Sequence, residues 1–331
     1  MTARQSSLIK ILSRLDGRTS KLHLVKLAFL LSKESVDAPR TAIYEFVPYK
    51  FGPYSFTLYY DLAQLVQDGW IETTNTDVRL LGFRKDEPRD LAFGFAAEID
   101  RVLEEYSNMP VGDLVADVYR RYPWYTAKSQ DLSKRAVKLA PAPVAVYKVG
   151  YEGLMVDGLM NRLLRSGIAH LIDVRCNPVA RRYGFHKSTL QRICTDLGLE
   201  YTHIPDLGVP SERRQDLDDQ KSYAKVFDWY ESELDKSKKA AVAQAVALVK
   251  SKPSALMCME ADPVCCHRTR LATHIAALTG LPIVELSSDE ADPVSVHPAW
   301  AKFAGHSYRE PRRRATALPP PATTRPRSCS I

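Results

Sequence analysis

Apolar positions in the first 140 residues recur three and four apart, the period of helices that pack by one face. Leu8, Ile11, Leu12 and Leu15 line one such face. After a break at Gly17, Leu22, Leu24, Val25, Leu27, Ala28, Leu30 and Leu31 line a second. An aromatic-rich loop over residues 46–55 precedes a third helix carrying Leu58, Leu62, Leu65 and Val66, which Gly69 ends. Residues 70–74 and 78–81 then predict two short strands around Asn75 and Asp77. Three helices and a small hairpin is a winged-helix order. Two more helical stretches, 98–106 and 111–121, close a first domain, 1–139, at Tyr122-Pro123-Trp124-Tyr125.

The pattern changes at Ala140-Pro141-Ala142-Pro143, a short proline-rich boundary. Beyond it, 144–149 reads as a buried strand and 170–175, 200–204 and 255–258 as further strands, with helical periodicity at 159–164, 188–197, 223–234 and 240–249 between them. A last run, 283–286, completes the series. Strand and helix in alternation predict an α/β domain over 143–290, with a mainly parallel sheet covered by helices on both faces. Ligands of such sheets bind beyond the carboxyl ends of the strands.

One of those ends is chemically dense. The strand at Leu256-Met257-Cys258 runs into Met259-Glu260-Ala261-Asp262-Pro263-Val264-Cys265-Cys266-His267-Arg268. Asp262 suits an N-cap and Pro263 the first helical position, with Leu271, Ile275 and Leu278 at helical spacing until Gly280. That reading puts Cys265, Cys266, His267 and Arg268 in the first turns, where unpaired N–H groups lower a thiol pKa or hold an anion. The other strand ends add Tyr151, Asp173, Arg175 and His203, which should converge with them on one edge.

Composition narrows the setting. No apolar run is long enough to cross a bilayer and no signal-peptide core is present, so no membrane association and a cytoplasmic location are expected. The six cysteines show no disulfide framework, which implies reduced thiols. The net charge of +7 is concentrated at the end, where the last 23 residues hold six arginines against Glu310 alone, leaving +2 for the rest. Residues 305–331 therefore read as a disordered Pro/Arg-rich tail; any attraction to nucleic acid is expected from it or from the first domain.

Two family resemblances add to this reading. Lys26-Leu27, Tyr49-Lys50-Phe51-Gly52-Pro53-Tyr54-Ser55 and residues 62–71 resemble the Panacea or SocA-like antitoxin-associated domain, which implies a nucleic-acid-binding or protein-binding adaptor without catalysis. In the second domain, Val149-Gly150-Tyr151, Leu171-Ile172-Asp173-Val174-Arg175, Pro178, Arg181, Phe185, Lys187, Tyr201, His203, Leu207-Gly208 and above all Cys258-Met259-Glu260, Pro263 and Cys266-His267-Arg268 resemble the domain of unknown function 488 family. Two departures stand out, Ala180 where many members carry Ser and Val209 where a second glycine is common.

The expectation is a cysteine-dependent enzyme, a transferase or hydrolase, acting on a phosphate-bearing substrate such as a nucleotide or a nucleic-acid base. Cys258 and Cys266 are the nucleophile candidates, with His267 or His203 as base and Glu260 or Asp173 to orient it. Tyr151, Arg175, Arg181 and Arg268 are the substrate-binding candidates; internal pairing of the arginines with Asp173, Glu152 and Glu260 is the bland alternative. The Cys266 thiolate is expected to be favoured beside Arg268. A metal on Cys258, Cys265, Cys266 and His267 is not expected, because adjacent ligands fit one tetrahedral ion poorly and no C-x-x-C pair is present. The competing function is a non-catalytic regulator, an antitoxin- or defence-like adaptor or a redox or ligand sensor.

Overall fold

A computed structural model of the chain describes residues 1–35, 43–82, 93–213, 220–262 and 266–286. Pro263, Cys265, Cys329 and the predicted Pro/Arg-rich tail lie outside these residues. Among them no helix is long and apolar enough to cross a membrane.

The first unit follows the predicted order with additions. Helix α1 (Ala3–Arg14) starts in a Thr2/Gln5 capping box. Strand β1 (Arg18–Ser20) then leads into α2 (Lys21–Glu34), which Ser20 caps through His23 N. The loop expected at 46–55 is a hairpin, β2 (Val47–Tyr49) and β3 (Gly52–Tyr54), in which Pro48 faces Pro53 and Gly52 takes φ 87°. Lys26 threads into it. Its buried ammonium group donates to the Phe51 carbonyl at 2.9 Å, and burial lowers its pKa to about 7. Helix α3 (Phe56–Gln67) precedes β4 (Ile71–Thr73) and β5 (Asp77–Leu80), and β5 also pairs with β1, making a three-stranded antiparallel sheet. Helices α4 (Phe93–Tyr106) and α5 (Val111–Arg121) pack on α1 and α2 over a core that includes Leu8, Leu12, Leu27, Phe29, Ile99 and Val118.

The second unit is the predicted α/β fold. Its strands are β6 (Val146–Gly150), β7 (His170–Asp173), β8 (Glu200–His203), β9 (Ser254–Cys258) and β10 (Ile283–Glu285), in the spatial order β10-β6-β9-β7-β8 with every pairing parallel. Helices α6 (Val156–Arg165) and α7 (Lys187–Asp196) cover one face. The other is covered by α8 (Gln220–Leu234), α9 (Lys239–Ser251) and α10 (His267–Thr279). Period-two alternation decides which side chain goes where: Leu171, Ala255 and Met257 enter the first core, and Ile172, Leu256 and Cys258 the second. The chain leaves β6 and β7 toward one face and β9, which lies between them, toward the other. The carboxyl end of β9 is thus a topological switch point, where this kind of sheet opens a crevice.

The two units share a hydrophobic seam, since Val47 and Phe56 pack into the α6–α7 core. Fully buried Asp157 on α6 accepts from Phe56 N at 2.5 Å, Thr57 N at 3.1 Å and the Thr57 hydroxyl at 2.5 Å, so a carboxylate of one unit caps a helix of the other. Glu45 accepts from Met155 N at 2.8 Å, and the Trp124 indole donates to Asn161 at 2.7 Å.

Candidate functional site

Cys258 is the last residue of β9 and pairs in register with Gly150, the last residue of β6. The chain after Cys258 then folds back over β6. Tyr151 N and Glu152 N both donate to the Met259 carbonyl, at 3.1 and 2.9 Å, and a Cβ at position 150 would overlap the Glu260 carbonyl. Only glycine allows that approach. It fixes where the Glu260 side chain starts.

Helix α10 begins at His267, later than Asp262-Pro263 suggested. Cys266 is its N-cap, with extended backbone (φ −124°, ψ 127°) and no side-chain capping bond. Its thiol instead donates to Glu260 Oε2 at 3.0 Å. Cys258 Sγ lies 3.7 Å from His267 Nδ1, and His267 Nε2 lies 3.2 Å from the Val174 carbonyl. A carbonyl only accepts, so Nε2 carries a proton, and in the neutral imidazole the Nδ1 lone pair faces the sulfur. The Tyr230 ring holds the imidazole edge to face at 5.3 Å. One donor atom from each of Cys258, Glu260, Cys266 and His267 lies within 4.8 Å of the others.

Electrostatics separate the members of this group. Burial raises the Glu260 carboxyl, but hydrogen bonds from the Cys258 and Cys266 thiols and the charge of His267 outweigh it, so it is held below its ordinary value. Burial pushes the Cys266 thiol well above its ordinary value, and the neighbouring Cys258 adds to this. The expected thiolate at Cys266 is therefore corrected. The thiol is sealed in at 1% exposure, and the hydrogen bonds of Arg268 go to other groups. The Arg268 guanidinium, fully buried, donates to the Glu260 carbonyl and to Glu285 Oε1 at 3.1 Å, while its Nε–H has no acceptor among the described residues. Lys148, in register with Glu285, pairs with that carboxylate at 2.8 Å.

Asp173, Arg175, Tyr151 and His203 form a second, adjacent group. Asp173 takes Arg175 bidentately at 2.9 and 2.6 Å and the Tyr201 hydroxyl at 2.7 Å, so it orients neither histidine. Arg175 also donates to the Tyr151 hydroxyl at 3.0 Å, and Tyr151 stacks on Phe185. Burial disfavours the Arg175 charge, yet the Asp173 pairing more than restores it and raises the pKa. His203 Nε2 meets the Arg175 carbonyl at 2.8 Å. Internal pairing is thus what the structure shows for Arg175 and Arg268. Arg181 is exposed on the loop after β7 and joins neither group.

Tyr201, quoted above only for the family resemblance, completes the surroundings with Tyr230, Lys148 and Glu285. The last two had a readable signal, each being a lone charge in an apolar strand. Among the described residues the cysteines Cys176, Cys194, Cys258 and Cys266 are unpaired, and Cys194, on α7, is raised to about 12 by burial. Two clefts among the described residues lie elsewhere. One of about 610 Å³ is lined by Tyr49, Lys50, Lys128, Arg135, Lys138 and Gly198, beside the amino end of the sheet.

No curated protein and no solved structure matches the chain. The sequence model of the family described as Domain of unknown function DUF488 matches residues 156–275, a span that runs from α6 to α10 and holds Cys258, Glu260, Cys266 and His267. The α/β part of this chain is therefore a domain of the DUF488 family.

Proposed function

We propose that the α/β domain is a cysteine-dependent enzyme, a transferase or hydrolase, whose reactive pair is Cys258 and His267 and whose substrate carries phosphate. The observation that supports this reading is the 3.7 Å approach of Cys258 Sγ to His267 Nδ1, the acceptor nitrogen of the neutral imidazole when Nε2 donates to the Val174 carbonyl. An inert core thiol needs no such neighbour, and burying an imidazole and a carboxylate beside it is costly unless they are used. In the proposed cycle, Cys258 gives its proton to Nδ1 and the sulfur attacks the electrophilic centre. The bond to the leaving group breaks, and His267 returns the proton to that group. Water or a second hydroxyl then attacks the sulfur-bound centre, loses its proton to His267 and releases Cys258 as the thiolate, which recovers the proton from the imidazolium. Glu260 favours the imidazolium by its charge, and Cys266 holds Glu260 in place.

Phosphate is the substrate class because the cluster lies at a helix N-terminus on the switch-point edge of a parallel sheet, a place suited to anions. The N-terminal unit acts in this reading as the adaptor that selects a nucleic-acid or protein partner. The test is untargeted metabolite capture by the chelator-treated full chain against Cys258→Ala. Phosphate-bearing compounds enriched on the wild type and lost on the variant are expected; identical profiles would count against the reading.

A further inference from the structure

From the donor geometry we infer that Cys258, Glu260, Cys266 and His267 form a closed four-donor site for a borderline divalent cation of the zinc class. A tetrahedral ion bound at about 2.3 Å by sulfur and about 2.0–2.2 Å by nitrogen and oxygen sets its donors roughly 3.3–3.8 Å apart. The Cys258 Sγ to His267 Nδ1 distance, 3.7 Å, is already in that range. The Cys266 Sγ to Glu260 Oε2 distance, 3.0 Å, reaches it by opening a hydrogen bond that deprotonation of the thiol would remove in any case. All four donor atoms lie within 4.8 Å of one another.

The objection that adjacent residues serve one ion poorly is met by the backbone. Cys266 is still extended and His267 is already the first helical residue, so the bend between them brings both side chains to one point. The surroundings also suit a cation. The Val174 carbonyl on Nε2 is the outer partner that fixes a metal-binding imidazole. Two thiolates and a carboxylate around a divalent ion leave one net negative charge, and fully buried Arg268 stands against it with one hydrogen bond to the Glu260 carbonyl. Glu285, the other partner of Arg268, is separately matched by Lys148. The buried ensemble is then electrically neutral, whereas the same donors without an ion hold two mutually opposed thiols and a carboxylate.

Four protein donors leave no open position, which marks a holding site rather than a Lewis-acid centre. The regulatory consequence rests on the proposed function: an ion on Cys258 Sγ and His267 Nδ1 occupies both members of the reactive pair, so loading switches the thiol chemistry off and removal switches it on.

The experiment uses the full chain, dialysed against chelator and titrated first with cobalt(II) and then with zinc. One equivalent of cobalt should give the near-ultraviolet thiolate charge-transfer band and intense visible bands of a tetrahedral site, and one equivalent of zinc should bleach them. Cys258→Ser, Cys266→Ser and His267→Gln should each weaken zinc binding by more than the roughly 10–100-fold typical of an outer-shell partner, and Cys194→Ser should not. Glu260→Gln keeps the side-chain volume and is the variant to read if a cysteine variant misfolds by circular dichroism; it too should bind more weakly. Folded wild-type protein that shows no thiolate–cobalt band and retains no stoichiometric zinc overturns the site, even if its Cys258 alkylates rapidly. The proposed function fails separately, if zinc binds as described but Cys258 of the chelated protein is no more reactive than Cys194.

Discussion

Asp157→Ala tests how the two units are joined, at the residue where the structure concentrates most polar bonding across the seam. The side chain is fully buried and takes three donors from the start of α3. Alanine leaves Phe56 N, Thr57 N and the Thr57 hydroxyl without that acceptor, and each buried donor left unmatched costs about 1–3 kcal/mol. The hydroxyl rotates to find another partner, so the expected loss is about 3–5 kcal/mol rather than the full sum. The effect should be localised as well as large, because Val47 and Phe56 lie in the same α6–α7 core. Trp124 reports on it through its indole bond to Asn161 across the seam. Guanidinium unfolding at about pH 6, read together with the Trp124 indole resonance in a 15N-labelled sample, measures both quantities. A loss below about 1 kcal/mol with an unmoved indole signal would refute the reasoning, since it would mean that the seam is held by apolar contact alone.

Burial raises the Asp157 carboxyl to about 7, against an unfolded value of about 3.9, with Thr57 and the backbone of Phe56 opposing. The folded protein thus holds a proton that the unfolded chain releases. This contribution is complete below about pH 4 and is lost as pH rises through about 7, with an upper bound of about 4 kcal/mol; melting curves across this window should slope downward with pH in the wild type and flatten in Asp157→Asn. Gly150→Ala places a methyl group on the Glu260 carbonyl, which should cost about 1–3 kcal/mol and abolish zinc binding while circular dichroism stays unchanged. Arg175→Ala leaves the buried Asp173 carboxylate with the Tyr201 hydroxyl as its remaining side-chain partner, and a loss of about 3–5 kcal/mol in chemical denaturation is expected.

Much of this architecture is legible along the chain because burial imposes a period. The α/β unit alternates strand and helix, and its central strands β6, β7 and β9 are buried on both faces, so fold class and strand ends could be placed from pattern alone. Shorter elements escape that signal. Strand β1 has three residues, and the β2–β3 hairpin carries Pro48 opposite Pro53, a residue type that argues against strands. The start of α10 was misplaced because Asp262-Pro263 carries the ordinary opening signature, whereas Cys266, whose thiol is turned to Glu260, is the N-cap.

At the site, collecting residues from the strand ends brought Cys258, Glu260, Cys266 and His267 together, but pattern could not say who pairs with whom. Asp173 is spent on Arg175, two residues further on, and on Tyr201 from the neighbouring strand, and Arg268 on the Glu260 carbonyl and Glu285, pairings that side-chain geometry rather than spacing decides. The Val174 carbonyl that sets the His267 tautomer is main chain, so no residue type announces it.

Cysteine-resolved alkylation kinetics test the central claim most directly. Chelator-treated full chain is labelled with iodoacetamide over a pH series, and each cysteine is followed by mass spectrometry in wild type and in His267→Gln. If Cys258 and His267 are a working pair, Cys258 should label faster than Cys194 at neutral pH, the advantage should vanish in His267→Gln, and one equivalent of zinc should suppress it. Equal, slow labelling of Cys258 and Cys194 in the chelated wild type, unaffected by the substitution, would contradict the account.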